Sequence, residues 1–300
     1  MTRALAPTLR RRFTLLWAAL IVVGALVSVG GMTTTADAAV TKKVARVAKS
    51  ETDFRVASFN ILGYDHTRGG KRGMRDGRTR MDDALRFLNM RAVDVVGFQE
   101  FQPEQRERFM QRTGSTWAHY PGFELPRPAV HNSIAWRTSH WTLVEAHSID
   151  IPYFHGKLIK MPVILLKHNT TGKLVWFGNF HNPANSKGNA ERYRDDAMRR
   201  QIALANELEA QGYPAIFTGD FNEREDFFCG FTRGTSWRAA NGGSFGNATK
   251  CVMPSRETKP GIDWIFGSPK VSFFNYKRHE GKLVRRTTDH PVIVTDVSFR

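Results

Sequence analysis

Cysteine is almost absent from the sequence, which has only Cys229 and Cys251 among its 300 residues. Two isolated thiols cannot form a zinc cage by themselves, because a structural zinc site needs four protein ligands. In an exported chain, two cysteines separated by a short glycine-rich stretch are more typical of a disulfide. We therefore predict a disulfide between these two residues, with two unpaired buried thiols as the alternative.

Acidic residues are also scarce in this chain. It has 28 Asp and Glu against 44 Lys and Arg, which gives a formal net charge of +16. A positive charge of this size favours a negatively charged partner, such as nucleic acid or an anionic membrane surface. A basic surface that serves only solubility is the alternative.

Two motifs that would indicate other chemistry are missing. The sequence has no His-Glu-x-x-His motif, and this absence argues against a zinc peptidase. It also has no Gly-x-x-x-x-Gly-Lys-Ser/Thr phosphate loop. A serine hydrolase is not expected either.

The sequence has one long apolar run, at residues 13–29, directly after three arginines at 10–12. Ala36 and Ala38 then provide small residues at the two positions that a signal peptidase reads. This pattern predicts a cleaved export signal over residues 1–38 and therefore a secreted protein.

The apolar run is nearly long enough to span a bilayer, so an uncleaved membrane anchor is the alternative to a cleaved signal. Residues 39–52 are polar and lysine-rich without an apolar period, and we predict a disordered tether there. Without residues 1–38 the chain keeps 40 basic and 27 acidic residues, a net charge of about +13. The basic character therefore belongs to the mature protein.

From residue 54 onward, short apolar runs alternate with a few helical patterns. Runs rich in Val, Ile and Phe predict eight strands, at 54–59, 93–98, 133–137, 161–167, 174–180, 214–218, 262–266 and 291–297. Helical spacing predicts one helix over Met81–Met90 and another that begins near Tyr193 and stops at Gly212. Strands outnumber helices and several are joined by short turns, so we expect an α/β fold with mixed sheets. No second linker is evident, which predicts one domain over residues 53–300.

Polar side chains that can carry chemistry cluster at the ends of these strands, where a side chain can project into a cleft. Asp220 and Asn222 directly follow one strand, and their two-residue spacing places both side chains on one face of an extended segment. Together the strand ends supply four carboxylates, two amides and two imidazoles, which are Glu100, Asp220, Asp263, Asp289, Asn60, Asn222, His181 and His290. A hard divalent cation and a phosphate ester require this set of groups.

Seven short blocks resemble, in order, the motifs of the endonuclease/exonuclease/phosphatase superfamily, of which deoxyribonuclease I is a member. The resemblance covers the chain from about Phe54 to Phe299. The blocks are Ser-Phe-Asn-Ile at 58–61, Gly-Phe-Gln-Glu at 97–100, Asn-Ser-Ile-Ala-Trp-Arg at 132–137, Asn-Phe-His at 179–181, Thr-Gly-Asp-Phe-Asn at 218–222, Ile-Asp-Trp-Ile at 262–265 and Thr-Asp-His-Pro-Val at 288–292. This resemblance implies a four-layer α/β sandwich of two mixed β-sheets flanked by helices.

The resemblance also implies a metal site and a site for the attacking water. Glu100, with Asn60 and Asp289 nearby, would hold Mg²⁺ or Mn²⁺, which draws charge from the phosphate. Asp220, steered by Asn222, would orient or deprotonate the water. The reaction implied is hydrolysis of a phosphate ester by in-line attack, without a covalent enzyme intermediate.

Three further residues receive roles from the same resemblance. His181 would face a phosphate oxygen or the leaving group, and Asp263 would fix the tautomer of His290. Arg137 is a weaker assignment, as a contact to the substrate phosphate. No stable protein partner is implied, and we expect a monomer.

The substrate cannot be inferred from the fold, because superfamily members cleave DNA, RNA, inositol phosphates and sphingomyelin on one scaffold. The charge of the mature chain and the arginine-rich segment Arg192–Arg200 favour an exported nuclease. A secreted phosphodiesterase resembling sphingomyelinase or phospholipase C is the alternative, because the aromatic cluster Asp226–Phe231 could enter a membrane or could be core beside a disulfide. A non-catalytic nucleic-acid-binding protein on the same scaffold is disfavoured by the complete set of carboxylates and histidines.

Overall fold

The computed structural model describes residues 54–125, 129–245 and 250–300. The predicted export signal and tether lie outside the described residues. Within the described ranges, no helix combines the length and the apolar character needed to cross a membrane.

Fourteen strands and six α-helices make up the described fold. The strands are β1 (Phe54–Asn60), β2 (Val95–Gln99), β3 (Trp117–Tyr120), β4 (Ser133–Arg137), β5 (Trp141–Pro152), β6 (Leu158–His168), β7 (Leu174–His181), β8 (Ala215–Asp220), β9 (Arg238–Ala239), β10 (Ser244–Phe245), β11 (Cys251–Val252), β12 (Asp263–Gly267), β13 (Val271–His279) and β14 (Val292–Phe299). The helices are α1 (Tyr64–Thr67), α2 (Gly77–Met90), α3 (Pro103–Thr113), α4 (Glu191–Ala210), α5 (Glu225–Gly234) and α6 (Lys282–Arg285).

Twelve of the strands form two six-stranded sheets. Sheet 1 has the order β13-β14-β1-β2-β4-β3, and sheet 2 has the order β5-β6-β7-β8-β12-β9. Each sheet contains one parallel pair, β1 with β2 and β7 with β8, while the other neighbours are antiparallel. The predicted α/β fold with two mixed sheets is confirmed.

Three hydrophobic clusters hold the layers together. Side chains such as Val56 and Phe177 fill the space between the two sheets. Leu88 of α2 and Phe109 of α3 pack on the outer face of sheet 1, and Leu204 of α4 packs on the outer face of sheet 2. The result is a sandwich of four layers in the order helix, sheet, sheet, helix.

All eight predicted strands and both predicted helices exist, with ends that differ by a few residues. Strands β5 and β13 were not predicted, because both lie at sheet edges where solvent replaces the alternating apolar pattern. In β5, for example, Val144 is 53% exposed. Helix α3 was missed because most of its residues are polar, although Gln102 caps it and Pro103 begins it.

Helix α5 carries the aromatic cluster that the sequence left open between membrane contact and core. Phe227, Phe228 and Phe231 are fully buried against sheet 2. Cys229 of the same helix forms the predicted disulfide with Cys251 of β11. The cluster is therefore core beside a disulfide, and it gives no support to a membrane-inserting enzyme.

One glycine-rich segment, residues 242–246, has the Gly-x-Ser-x-Gly spacing found in many serine hydrolases. In those enzymes the serine lies on a sharp turn between a strand and a helix. Here Ser244 lies in the two-residue strand β10, which pairs with β11, and no α-helix begins in the described residues between β10 and α6. The spacing is not a nucleophile elbow in this fold.

A belt of buried polar side chains joins the two sheets inside the sandwich. Gln99 Nε2 of sheet 1 donates to Asn179 Oδ1 of sheet 2 at 2.7 Å, and Thr218 Oγ1 donates to the same oxygen at 3.0 Å. Asn179 Nδ2 donates back to the Phe98 carbonyl of sheet 1 at 2.7 Å. Buried polar groups need such partners, so the belt stabilises one alignment of the two sheets.

Gly97 lies against this belt, and we expect Gly97→Ala to lower the free energy of unfolding by about 3 kcal/mol. A Cβ at this position would overlap Thr218 Oγ1 and Asn179 Oδ1. Urea unfolding measures the loss. Gly281→Ala is the matched control, because its Cβ would have no neighbour within 4 Å and its φ of −68° suits alanine. Equal stability of Gly97→Ala and the wild type would contradict the tight contact.

Candidate active site

The two parallel strand pairs end at one rim of the sandwich, where their polar residues meet. Asn60 and Glu100 lie at the ends of β1 and β2, and His181 and Asp220 lie at the ends of β7 and β8. Asn60 Nδ2 donates to Glu100 Oε1 and to Asp220 Oδ2, each at 3.1 Å, so this amide connects the two sheets. Its Oδ1 accepts the Leu62 backbone N–H at 3.0 Å.

Glu100 is the partly buried carboxylate on the sheet 1 side of the rim. Its Oε2 accepts the Gly63 backbone N–H at 2.9 Å and lies 3.3 Å from His66 Nε2. Burial alone would raise the pKa of Glu100, but the contacts with His66, His181, Gly63 and Asn60 hold it well below its usual range. Glu100 is therefore ionised at neutral pH, which is the form that binds a cation.

Asp220 and Asp263 lie opposite each other on the neighbouring strands β8 and β12, and both are almost fully buried. His290 contacts both carboxylates. Its Nδ1 lies 3.1 and 3.2 Å from the two Asp263 oxygens, and its Nε2 lies 3.7 Å from Asp220 Oδ2. Burial alone would lower the pKa of His290, but the two carboxylates raise it to about 10. A protonated imidazole therefore separates two carboxylates that would otherwise repel each other.

Asn222 and His181 complete the sheet 2 side of the rim. The backbone N–H of Asn222, which has a φ of +56°, donates to Asp220 Oδ1 at 3.0 Å. The Asn222 side chain instead donates to the Asn182 carbonyl at 2.7 Å, so the backbone of Asn222 orients Asp220. His181 Nε2 lies 3.7 Å from Asp220 Oδ2, and its ring packs edge-on to Tyr153.

Asp289 forms an ion pair with Arg72 across the opening of the rim. Arg72 Nη1 lies 2.7 Å from Asp289 Oδ2, and both side chains are about half exposed. The segment 64–73 that carries Arg72 also carries His66, which contacts Glu100. Glu100 and Asp289, both predicted to bind the metal, are thus each paired with a basic side chain from the segment 64–73.

A cavity of about 340 Å³ opens onto these groups. It is lined by three predicted residues, Glu100, His181 and Asp289, and by others that the sequence did not indicate, among them His66, Arg72, Asn132, Tyr153, Phe154 and Lys187. Most of these lie in loops, where no strand end marks them. The available signals were weak: Asn132 begins the third family-like block, and residues 67–73 are rich in glycine and basic residues.

Arg137 is the predicted residue that the structure does not bring to the rim. It lies at the far end of β4, where its Nε donates to the Val93 carbonyl and its Nη2 donates to Asn89 Oδ1, each at 2.8 Å. Its guanidinium packs on the Trp117 ring. Arg137 is therefore a packing group on the helix side of sheet 1, and we leave it out of the site.

A sequence model described as the endonuclease/exonuclease/phosphatase family matches residues 57–290. This match spans more than half of the chain and includes the residues of the rim. The chain belongs to the endonuclease/exonuclease/phosphatase family. No curated protein matches the chain.

Solved structures of this family have the same fold. The catalytic domain of human Nocturnin with bound sulfate is 17% identical, with a TM-score of 0.64, over 83% of this chain and 95% of that one. A mannosyl-6-phosphatase of Bacteroides thetaiotaomicron is 19% identical, with a TM-score of 0.60, over 82% and 100%. D. rerio TDP2 complexed with a single-strand DNA product is 14% identical, with a TM-score of 0.56, over 83% and 100%.

Members of the endonuclease/exonuclease/phosphatase family are hydrolases that act on phosphate esters, and they generally depend on a divalent metal. The rim fits such an ion. Glu100 is an anionic oxygen ligand, and the second lone pair of Asn60 Oδ1 is available beside it. Asp289 lines the same cavity. The assignment of the ion to these three residues stays a prediction.

Three other residues of the rim could also hold a metal. One ligand atom from each of Asp220, Asp263 and His290 lies within 4.8 Å of the others. However, His290 Nδ1 already faces both Asp263 oxygens, and none of the three residues lines the 340 Å³ cavity. We therefore predict the metal at Glu100, which does line it.

Proposed function

We propose that the protein is an exported, metal-dependent phosphodiesterase that hydrolyses nucleic acid. The proposal depends on the basic side chains that lie on both sides of Asp289. Arg72 and Lys187 line the 340 Å³ cavity, and Arg278 and Arg285 line a neighbouring cavity of about 510 Å³ that shares Asp289. A polynucleotide carries phosphates on both sides of the one that is cleaved, and cations on both sides match that pattern.

The geometry around Asp220 suits activation of water. Its Oδ1 accepts the Asn222 N–H and its Oδ2 accepts Asn60 Nδ2, so both oxygens are held in place. As water attacks phosphorus, Asp220 takes its proton while the opposite P–O ester bond breaks. A divalent cation bound at Glu100 would draw charge from the phosphate and stabilise the leaving oxygen.

The two histidines act on either side of Asp220. Protonated His290, held by Asp263, carries a positive charge close to Asp220 and to the developing charge of the phosphate. His181 lines the cavity and donates a hydrogen bond to a phosphate oxygen or to the leaving group. No serine or cysteine nucleophile is needed for this sequence of steps.

Two features support export. The segment before residue 39 has the composition of a cleavable signal, and Cys229 is joined to Cys251. Disulfides persist mainly in oxidising compartments outside the cytoplasm. Both features support the proposal that the mature enzyme acts outside the cell membrane.

The function is tested by the salt dependence of substrate binding and turnover. With Mg²⁺ or Mn²⁺, plasmid DNA or RNA should be hydrolysed, and excess EDTA should abolish turnover. Affinity for nucleic acid should fall by roughly 10³-fold between 50 and 200 mM salt if about six phosphates are contacted. Sphingomyelin in vesicles serves as the comparison substrate, because its hydrolysis should lack this slope.

Two outcomes would contradict the proposal. Turnover of sphingomyelin together with flat salt dependence on DNA would favour a lipid phosphodiesterase. Salt-sensitive binding of nucleic acid without turnover under any divalent metal would favour a binding protein on the same scaffold.

A further inference from the structure

One wall of the 340 Å³ cavity is aromatic and apolar, in contrast to the charged rim. Tyr153 and Phe154 form this wall, and the apolar side chains of Leu62 and Ile159 also line the cavity. The two aromatic rings contact each other, with centroids 4.4 Å apart, and the Tyr153 ring also packs against His181. An aromatic surface of two tilted rings therefore lies directly beside His181, one of the groups proposed to act on the phosphate.

The aromatic wall is built into the turn that joins β5 to β6. The Tyr153 N–H donates to the Lys157 carbonyl at 2.8 Å, which closes the turn. Gly156, with a φ of +78°, lies so close to the Tyr193 ring of α4 that an added Cβ would be 3.0 Å from it. The turn is thus held against a helix, and the wall is formed before any ligand binds.

An unpartnered amide belongs to the same cavity. Asn132 is only 3% exposed and lines the cavity, and its side-chain oxygen is buried without a hydrogen-bond partner among the described residues. Its position is fixed because the Phe101 N–H, directly after Glu100, donates to the His131 carbonyl at 2.7 Å. A buried amide without a partner costs free energy, so a ligand that satisfies it gains affinity.

The residues of this region indicate which kind of ligand group binds beside the phosphate. An aromatic surface favours a planar partner, and an amide can both donate to and accept from the edge of a nucleobase. A quaternary ammonium group would also pack on aromatic rings, but it has no N–H and would leave the buried Asn132 side-chain oxygen without a hydrogen-bond donor. The combination fits a base attached to the scissile phosphate.

We propose that this part of the cavity is a nucleobase pocket, in which a base packs on Phe154 and Tyr153 while Asn132 contacts its edge. The inference rests on the proposed function, because it identifies part of a nucleic-acid substrate. It also makes Phe154 and Asn132 specificity-determining residues of the enzyme.

Calorimetric titration in EDTA tests the pocket without any turnover. AMP and ribose 5-phosphate serve as probes, because they share the phosphate and differ by the base. Stacking of one base contributes about 1–3 kcal/mol, so AMP should bind the wild type roughly 10-fold or more tightly than ribose 5-phosphate. Phe154→Ala should remove most of this difference and leave the affinity for ribose 5-phosphate within about twofold.

Phe274→Ala is the matched control, because Phe274 is an exposed aromatic residue on β13 at the other end of sheet 1. It should leave both affinities unchanged. Asn132→Ala should compress the differences among AMP, GMP, CMP and UMP, while ribose 5-phosphate binds as before. Thermal unfolding of each variant verifies that it is folded.

Three results would overturn the pocket. These are equal affinities of the wild type for AMP and ribose 5-phosphate, an AMP preference that persists in both variants, and phosphocholine binding that exceeds AMP binding and depends on Phe154. Failure of the proposed function is measured separately, as the absence of DNA and RNA hydrolysis in the presence of a divalent metal. An AMP preference that depends on Phe154 in a protein that does not cleave polynucleotides would retain the pocket and reject the nuclease.

Discussion

Glu100→Gln is expected to remain folded and to lose metal-dependent hydrolysis by about 10³-fold or more. The amide keeps the shape of the side chain, and its one oxygen can still accept either the Gly63 or the Asn60 hydrogen bond. It cannot supply the negative charge that the low pKa of Glu100 maintains in the wild type. Steady-state turnover of plasmid DNA or RNA at saturating Mg²⁺ measures the loss.

The matched control for this variant is Glu107→Gln, on the exposed side of α3. The Glu107 side chain is 53% exposed and pairs only distantly with Arg78, at 3.8 Å. Removing the Glu107 charge should change turnover by less than about twofold, since an exposed ion pair contributes little to stability. Undiminished turnover of Glu100→Gln, or turnover of the wild type in excess EDTA, would reject the assignment of the metal.

Asp263→Asn is expected to lower turnover by roughly 10²- to 10⁴-fold while leaving the fold nearly intact. Asp263 Oδ1 and Oδ2 both contact His290 Nδ1, so the carboxylate sets the orientation and the charge of the imidazole. His290→Ala should cost about as much. Because the two side chains act as one unit, the double variant should be little worse than either single variant.

The chain also offers a control histidine paired with an aspartate far from the rim. His140 Nδ1 lies 2.6 Å from Asp94 Oδ1, just before β2, and the His140 side chain is 51% exposed. His140→Ala should leave turnover unchanged. If the losses of Asp263→Asn and His290→Ala instead multiply in the double variant, the two residues act independently and the pairing has no part in the mechanism.

The strands that sequence patterns predicted are those with buried neighbours on both sides. β7 and β8 are apolar over most of their length because one face contacts the other sheet and the other face contacts α4 and α5. The edge strands β3, β5, β9 and β13 were missed because fewer of their side chains are buried than in the central strands, although Trp141 and Val271 belong to the core between the sheets. Local patterns do not record a backbone hydrogen bond to a distant strand.

In the site, sequence reasoning found the groups at strand ends and missed the groups carried by loops. Asn60, Glu100, His181 and Asp220 were indicated because an apolar strand ending in a polar residue is a local signal. Nothing local indicates that Arg72 reaches Asp289, since the two residues are 217 positions apart. Such contacts depend on how the loops pack across the rim.

The same limit applies to the orientation of single groups. The sequence placed Asp220 and Asn222 on one face and assigned the side chain of Asn222 to steer Asp220. The positive φ of Asn222 turns its backbone N–H towards Asp220 and its amide towards Asn182. A two-residue spacing predicts a shared face only while the strand continues, and β8 ends at Asp220.

The buried belt of Gln99, Asn179 and Thr218 has a consequence for how the cleft moves. The belt joins the two sheets at the floor of the rim. A movement that separated the sheets there would leave buried amides without hydrogen-bond partners. The floor of the cleft therefore keeps one width whether or not a substrate is bound. Adjustment to substrates of different thickness is left to the segment 64–73.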